Sequence, residues 1–289
     1  MVFNLKLIHK FSVHGWIGIL LILIFWYLNW NLEGLRTHIL FFPLWFGYIL
    51  TIDALVFYRK NTSLLTRSKK KFAMLFFISA PAWWLFELIN WQTQNWFYDG
   101  RQFFTDVEYA ILATISFSTV MPAVFGTAEL VGTFKWVNKF KKRKALSPTK
   151  ATLNKFLLTG FTMLALVIFL PEYFYYLEWA AVYFILEPIN YKLNNRTLFD
   201  YTINGNWSPI VALAIGTLVC GFFWELWNYF SYPKWIYDTP MVNFLHVFEM
   251  PLLGYIGYIP FSLELFAIYN FIVGINRKKD SEYIQIASS

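Results

Sequence analysis

The feature that most constrains this chain is a series of apolar runs, each about 20 residues long. A helix of about 20 apolar residues is long enough to cross the ~30 Å hydrocarbon core of a bilayer. The chain is 58% apolar and only 14% charged, whereas a soluble domain carries about 25% charged residues. We therefore predict an all-α integral membrane protein, multi-pass in the plasma (cytoplasmic) membrane.

The runs predict eight transmembrane helices. They cover residues 14–30, 37–58, 72–91, 106–134, 154–171, 173–189, 207–229 and 243–274. The fourth contains Pro122, and the eighth contains Pro251 and Pro260. Proline removes a helix hydrogen bond and clashes with the preceding turn. We expect kinks there, which either line a cavity or are ordinary bends.

The basic residues predict the orientation. With eight spans, all but three of the 24 Lys and Arg residues fall on the side that holds the N-terminus; the exceptions are Arg36, Arg101 and Lys234. Cytoplasmic loops carry the excess of Lys and Arg in membrane proteins. Both termini are therefore predicted to be cytoplasmic.

The most basic stretch lies between the two halves of the chain. It predicts a first repeat at 1–140, a linker at 141–153, a second repeat at 154–275 and a cytoplasmic tail at 276–289. The linker either contacts anionic lipids at the cytoplasmic face or only marks topology. We expect no nucleic-acid partner, because the positive charge follows the topology of the membrane.

A pattern of acidic, amide and aromatic residues occurs twice. Glu87 and Asn90 match Glu225 and Asn228; Trp96-Phe97-Tyr98-Asp99 matches Trp235-Ile236-Tyr237-Asp238; and Glu108 matches Glu249. Because each half has an even number of spans, both copies enter the membrane from the same side. The pattern therefore predicts two parallel four-helix repeats.

Carboxylates inside lipid are the strongest functional candidates. Each costs about 2.5–3.5 kcal/mol at mid-span, so each should face a partner or a cavity. A buried carboxyl that stays neutral near pH 7 can act as a general acid. The candidate catalytic residues are Glu249, Glu225, Glu87 and Glu108. The candidate substrate-binding residues are Asn90, Asn228, Trp96, Tyr98, Trp224, Trp235, Tyr237 and Tyr255.

The same residues have structural interpretations. The glutamates could tie helices together, and Trp and Tyr concentrate at membrane interfaces as anchors. Metal binding is not predicted, because Cys220 is the sole cysteine and His246 with Glu249 lacks a second pair. No cofactor is predicted.

The order of a span-end carboxylate, a W-x-Y loop and a second carboxylate opening a proline-containing span, present twice, resembles a known family. It resembles the membrane carotenoid end-group enzymes, that is, the fused two-domain lycopene cyclases and the carotenoid hydratases. The best segment runs from Trp224-Glu225 to Glu249-Met250-Pro251. The paired P-x-E-E glutamates of the cyclases are absent, and each half is longer than expected of a cyclase domain.

The resemblance implies a redox-neutral isomerase or lyase. Glu249, and by analogy Glu108, would protonate a double bond of an isoprenoid or carotenoid-like substrate within the bilayer, with Glu225 and Glu87 as partner carboxylates. Cyclisation or hydration would follow. Two other classes stay open: a proton- or cation-coupled transporter or channel with parallel repeats, and a non-catalytic membrane scaffold.

Overall fold

The computed structural model describes residues 11–35, 37–275 and 283–286, and these are mostly helical. The long helices are α1 (Val13–Asn31), α2 (Thr37–Lys60), α4 (Lys69–Thr93), α5 (Asp106–Phe117), α6 (Val120–Gly132), α7 (Lys150–Phe169), α9 (Glu178–Lys192), α11 (Ser208–Tyr229) and α12 (Tyr258–Ile275). Three one-turn helices are α3 (Leu64–Arg67), α8 (Pro171–Phe174) and α10 (Phe199–Thr202). The strands are β1 (Trp96–Asp99), β2 (Lys234–Tyr237), β3 (His246–Val247) and β4 (Met250–Pro251).

Seven helical segments in the described part of the chain are long and apolar enough to cross a membrane. They are Val13–Asn31, His38–Lys60, Lys69–Thr93, Asp106–Gly132, Lys150–Phe169, Ser208–Tyr229 and Leu252–Ile275. The chain thus has the helices of a multi-pass membrane protein, as the sequence predicts. Arg36 and most of the predicted tail, 276–289, lie outside the described residues.

The predicted sixth span, 173–189, is not among these seven segments. Helix α8 and a single 3-10 turn precede α9, which has 15 residues. At 1.5 Å per residue, α9 reaches only about 22 Å, which is shorter than the hydrocarbon core of a typical bilayer. The apolar run is continuous in sequence, but Pro171 starts a new helix because it cannot continue the preceding one.

Two of the three prolines in the fourth and eighth spans lie at helix starts, and the third, Pro251, is the last residue of β4. Pro122 and Pro260 are each the third residue of their helices, α6 and α12. A proline in the first turn loses no intrahelical hydrogen bond. The fourth span is therefore two helices, separated at 118–119, and α12 begins at 258 instead of 243. Residues 243–251 instead form a loop that contains β3 and β4.

The helices form a central group with two peripheral helices. Helices α2, α6, α11 and α12 supply much of the buried core. Helix α1 packs on α2 and α7 packs on α9, and few residues of α1 and α7 are buried. Exposed apolar faces suit a lipid environment. Within lipid, helices pack closely where small residues let their backbones approach each other. Gly18 of α1 shows this, because an added Cβ would lie 2.7 Å from the Gly47 carbonyl oxygen.

Two buried carboxylates hold the short helices. Asp53 of α2 accepts hydrogen bonds from Ser63 Oγ at 2.7 Å and from the Leu65 backbone N–H at 2.9 Å. Glu187 of α9 accepts the backbone N–H groups of Leu198 and Phe199 at 2.5 and 3.2 Å. Each carboxyl therefore binds the start of the one-turn helix that follows it, which matches a structural role.

Candidate functional site

The two W-x-Y-D segments lie side by side as a two-stranded antiparallel sheet. The register pairs Trp96 with Tyr237 and Tyr98 with Trp235. Each segment follows the helix that carries its Glu and Asn, so α4 leads into β1 and α11 leads towards β2. The sheet therefore brings the two copies of the sequence pattern together.

Each strand is anchored by the asparagine of its own helix. Asn90 Nδ2 donates to the Trp96 carbonyl oxygen at 2.8 Å, and the Trp96 backbone N–H donates to Asn90 Oδ1 at 3.2 Å. Asn228 makes the same two hydrogen bonds with Trp235, at 2.7 and 3.0 Å. Neither asparagine lines the cavity described below. Both were candidate substrate-binding residues, and the structure places them as supports of the strands.

Each strand also presents an aromatic pair to the glutamate of its own helix. Glu225 Oε1 accepts from Tyr237 Oη at 2.7 Å and from Trp235 Nε1 at 3.4 Å. Glu87 Oε1 accepts from Tyr98 Oη at 2.5 Å and from Trp96 Nε1 at 3.2 Å. Burial raises the pKa of both tyrosine hydroxyls well above the usual value of about 10, and the nearby carboxyl raises it further. Both hydroxyls therefore stay protonated and donate.

The third donor differs between the two glutamates. For Glu87 it is Trp83 Nε1, one turn earlier on the same helix, at 2.9 Å. For Glu225 it is Tyr258 Oη, at the start of α12, at 2.9 Å. The Glu225 carboxyl therefore also joins helix α12 to the strand.

A cavity of about 580 Å³ lies between the two halves of the chain. Its volume is within the range of ligand pockets, ~300–1,000 Å³. Its lining is mainly apolar and aromatic and comes from both halves. The rings include those of Trp83, Trp96, Tyr98, Trp179, Trp224, Trp235, Tyr237, Tyr258 and Phe261. Three lining residues, Tyr176, Leu253 and Ile256, are also exposed on the outer surface and mark its rim.

Four of these rings, those of Trp83, Trp96, Trp179 and Phe261, pack against one another and form a ring wall. Trp179 stacks on Phe86 and on Trp96 with centroids 5.6 and 5.5 Å apart. Phe261 meets both Trp83 and Trp179 edge to face, at 5.8 and 5.5 Å. Such contacts hold aromatic side chains in fixed orientations, so the shape of the cavity is largely set by the fold.

Glu225 and Glu87 differ in their access to this cavity. Glu225 lines it, whereas Glu87 does not and lies behind the rings that bind it. The Glu225 side chain is fully buried. Its Oε2 has no hydrogen-bond partner among the described residues, while Oε1 accepts all three donors. The Oε2 atoms of Glu129, Glu187 and Glu264 are unpartnered too, but none of those glutamates lines the cavity. Among the described glutamates, Glu225 combines an unpartnered buried oxygen with a place on the cavity wall, and a buried polar atom without a partner calls for an explanation.

The other two candidate acids lie elsewhere. Glu249 forms an ion pair with Lys234 and does not line the cavity. Glu108 is exposed and accepts the Thr105 backbone N–H and hydroxyl at 2.8 Å, in a capping box that starts α5. Glu108 therefore completes the capping box of Thr105, and this contact explains its place in the first turn of a helix without any catalytic role.

Of the candidate binding residues, five line the cavity: Trp96, Tyr98, Trp224, Trp235 and Tyr237. Tyr255 does not; its hydroxyl donates to the Val247 carbonyl oxygen at 3.0 Å and ties the β3–β4 loop to the turn before α12.

Sequence reasoning missed a polar group on the cavity wall. Glu178, at the start of α9, is buried and accepts Asn95 Nδ2 at 2.7 Å and Thr93 Oγ1 at 3.1 Å. Asn95 lines the cavity. A signal existed: Asn95 stands directly before the first W-x-Y-D segment, where the second copy has Lys234.

The two cations at the cavity are both neutralised. Arg101 pairs with Asp106, and Lys234 pairs with Glu249. Among residues 11–35, 37–275 and 283–286, no group of three or more His, Cys, Asp or Glu side chains has the placement of a metal site. The functional groups on this wall include the Glu225 carboxyl, hydroxyls, the Asn95 amide, the His38 imidazole and aromatic rings.

Comparisons with protein-family models, with curated proteins and with solved structures gave no match.

Proposed function

We propose that this chain is a membrane enzyme that protonates a double bond of a hydrophobic isoprenoid or carotenoid-like lipid, with Glu225 as the acid. The observation that carries the proposal is the Glu225 carboxyl on the wall of an aromatic cavity, with Oε1 fixed by three donors and Oε2 unpartnered. The exposed apolar rim formed by Tyr176, Leu253 and Ile256 suits entry of a lipophilic molecule from the bilayer.

The acid step follows from this arrangement. Burial without a counter-charge disfavours an ionised carboxyl, so Glu225 begins as a neutral acid with its proton on Oε2. The proton passes to one alkene carbon, and the other becomes a carbocation. The hydrogen bonds of Tyr237, Tyr258 and Trp235 to Oε1 stabilise the carboxylate left behind.

The ring wall stabilises the cation. A cation over an aromatic face is stabilised by roughly 0.5–2 kcal/mol, and most strongly over tryptophan. In cyclisation, a neighbouring carbon then loses a proton, which returns to the Glu225 carboxylate. In hydration, a water molecule adds to the cation, and the extra proton of the added water returns to the Glu225 carboxylate. Both routes restore the acid and need no oxidant or reductant.

The proposal moves the acid role from Glu249 and Glu108 to Glu225. Glu249 instead holds Lys234 at the cavity. Glu87 also accepts three hydrogen bonds, but it does not line the cavity. We therefore assign it to positioning Trp96 and Tyr98.

We also propose that the halves are parallel four-segment repeats with both termini cytoplasmic. Several features support this: the equivalent hydrogen bonds of Asn90 and Asn228, those of Glu87 and Glu225, and the prolines that start α6 and α12. In this arrangement, α8 and α9 with the turn between them form the sixth segment, equivalent to α2.

The transporter alternative is less well supported. A path for protons or cations needs acids that can exchange partners across the membrane. Asp53 and Glu187 are bound to helix starts, Glu129 to Arg67 and the Gln285 backbone N–H, and Glu264 to the Val182 backbone N–H. These fixed local contacts favour structural roles.

The test is a lipid and pigment profile of cells with and without the protein, together with three isosteric variants. We expect Glu225→Gln to abolish the change in isoprenoid profile, because glutamine cannot supply the proton. Glu249→Gln is expected to retain conversion, and Glu87→Gln is expected to reduce it only in part. The proposal is rejected if the native protein does not change the isoprenoid profile of the cells. It is also rejected if the Glu225→Gln variant changes the profile as much as the native protein does.

A further inference from the structure

Three more buried polar atoms of cavity-lining residues have no hydrogen-bond partner in the described part of the chain: Asn95 Oδ1, Thr239 Oγ1 and His38 Nδ1. His38 belongs to α2, whereas Asn95 and Thr239 lie next to the paired strands. Asn95 is 3% exposed and Thr239 is 6% exposed. Leaving such groups unsatisfied costs about 1–3 kcal/mol each, so a fixed pair on one wall calls for a ligand group.

The two residues lie close to each other in the fold. Asn95 directly precedes β1, and Thr239 follows β2 by two residues. The Asp238 backbone N–H donates to the Asn95 carbonyl oxygen at 2.7 Å, which extends the pairing of the two strands by one step. The unpartnered atoms therefore come from one end of the paired strands.

Glu178 determines which atom of the Asn95 amide is available. Its Oε1 accepts Nδ2 at 2.7 Å, and its Oε2 is held by Thr93 Oγ1 at 3.1 Å. The amide nitrogen is therefore used behind the wall, and the oxygen, which can only accept, is left. The ligand group must consequently be a hydrogen-bond donor.

The surrounding charges favour a neutral donor. Arg101 and Lys234 line the same cavity, but they are paired with Asp106 and Glu249. These ion pairs therefore leave little net charge to attract either an ammonium group or an anionic headgroup. A hydroxyl group fits both constraints: it can donate to Asn95 Oδ1 and exchange a hydrogen bond with the Thr239 hydroxyl.

We propose that Asn95 and Thr239 form a subsite for the hydroxyl group of a lipid alcohol whose apolar chain lies against the ring wall. This deepens the proposed function and rests on it, because it names the substrate or product class of the same cavity. Glu178 acts as a positioning residue, since it fixes the Asn95 amide without reaching the ligand.

The test measures binding to the purified full-length protein in lipid nanodiscs by quenching of tryptophan fluorescence, which the lining tryptophans make sensitive. The probes are farnesol, its methyl ether and the hydrocarbon farnesene. We expect farnesol to bind about tenfold more tightly than either, since the other two cannot donate a hydrogen bond and tenfold corresponds to about 1.4 kcal/mol. Equal affinity of all three for the native protein overturns the subsite.

Variants then test whether the Asn95 amide causes the preference for farnesol. Asn95→Leu should remove the preference for the alcohol, whereas Asn95→Asp keeps an acceptor oxygen and should retain part of it. Glu178→Gln should also reduce the preference for farnesol. Glutamine can pair with either end of the Asn95 amide, so the amide is no longer held with Oδ1 available to the ligand. Asn31→Ala, at an exposed asparagine of α1, should leave it unchanged. A preference that survives Asn95→Leu contradicts the assignment.

The two proposals fail in different ways. If farnesol is preferred but no isoprenoid is converted in cells, the subsite stands and the acid chemistry is wrong. If conversion occurs and depends on Glu225 but the alcohol and the ether bind equally, the acid chemistry stands and the subsite is wrong.

Discussion

Trp96 and Tyr237 are direct partners across the two-stranded sheet, yet each donates a hydrogen bond to a different glutamate. Trp96 serves Glu87 from the first half of the chain, and Tyr237 serves Glu225 from the second. The sheet therefore couples two carboxyl sites that lie 138 positions apart in the printed sequence.

The tyrosine hydroxyls provide a test of the difference between the two glutamates. Tyr237→Phe removes one of three donors to Glu225, and we expect conversion to fall by about tenfold or more, because donors to a developing carboxylate stabilise the transition state. Tyr98→Phe removes the matching donor to Glu87, with a similar stability loss of about 0.5–1.5 kcal/mol but no comparable loss of conversion. Equal losses of conversion would show that both carboxyls act in the reaction.

The asparagine supports should be essential for the sheet. Asn90→Ala leaves the Trp96 N–H and carbonyl groups without their partners, so we expect the free energy of unfolding to fall by about 2–6 kcal/mol, from about 1–3 kcal/mol for each buried group. Asn90→Asp keeps the acceptor and should cost less. Thermal unfolding in detergent measures the stabilities of the variants. We expect faster hydrogen exchange at residues 96–99 in Asn90→Ala, which would place the loss of stability in β1. Unchanged hydrogen exchange in β1 would contradict the prediction.

The close contact between the halves depends on a glycine of α11. A Cβ on Gly216 would lie 2.7 Å from the Ala128 backbone nitrogen of α6, and backbone cannot yield as a side chain can. We expect Gly216→Ala to lower the melting temperature, with a stability loss of about 1–3 kcal/mol. Gly126→Ala is the matched control: its nearest neighbour would be Ile52 Cγ2 at 3.5 Å, so it should be neutral. Similar melting temperatures for the two variants would contradict this prediction.

The topology can be tested by labelling single cysteines. Cys220 is the sole cysteine and is buried, so Cys220→Ser provides a background without reactive thiols. A cysteine at Lys142 in the basic linker should react only when the inner face of the membrane is accessible. A cysteine at Gln102, after β1, should react from outside in intact cells. Labelling of both positions from the same side would contradict the proposed orientation.

The sequence predicted the environment of the chain and the location of its repeated pattern. Long apolar runs indicate membrane-spanning helices, because lipid offers no partner for unpaired backbone groups and a helix pairs them within one segment. A short stretch of sequence is therefore enough to recognise such a helix. The pairing of a helix-end glutamate with the following W-x-Y segment is also local, since Glu225 and Tyr237 are separated by only 12 positions. Recurrence of the pattern was enough to single out these residues.

Helix limits were harder to predict, because apolar composition does not say where a backbone bends. The prolines at 122 and 260 were expected to kink long helices and instead start shorter ones. The run 173–189 is mostly apolar but is divided by a 3-10 turn. Hydropathy averages over such breaks, whereas hydrogen bonding determines them.

By itself, then, the sequence determined that the protein lies in a membrane and that two acidic, aromatic clusters recur within it. Only the tertiary structure decided which acid faces the cavity. Glu225 and Glu87 have nearly the same local sequence, but α12 brings Tyr258 to Glu225, while Trp83 of its own helix covers Glu87. Glu178 and Asn95 meet from distant parts of the chain, and no local pattern encodes a contact of that kind.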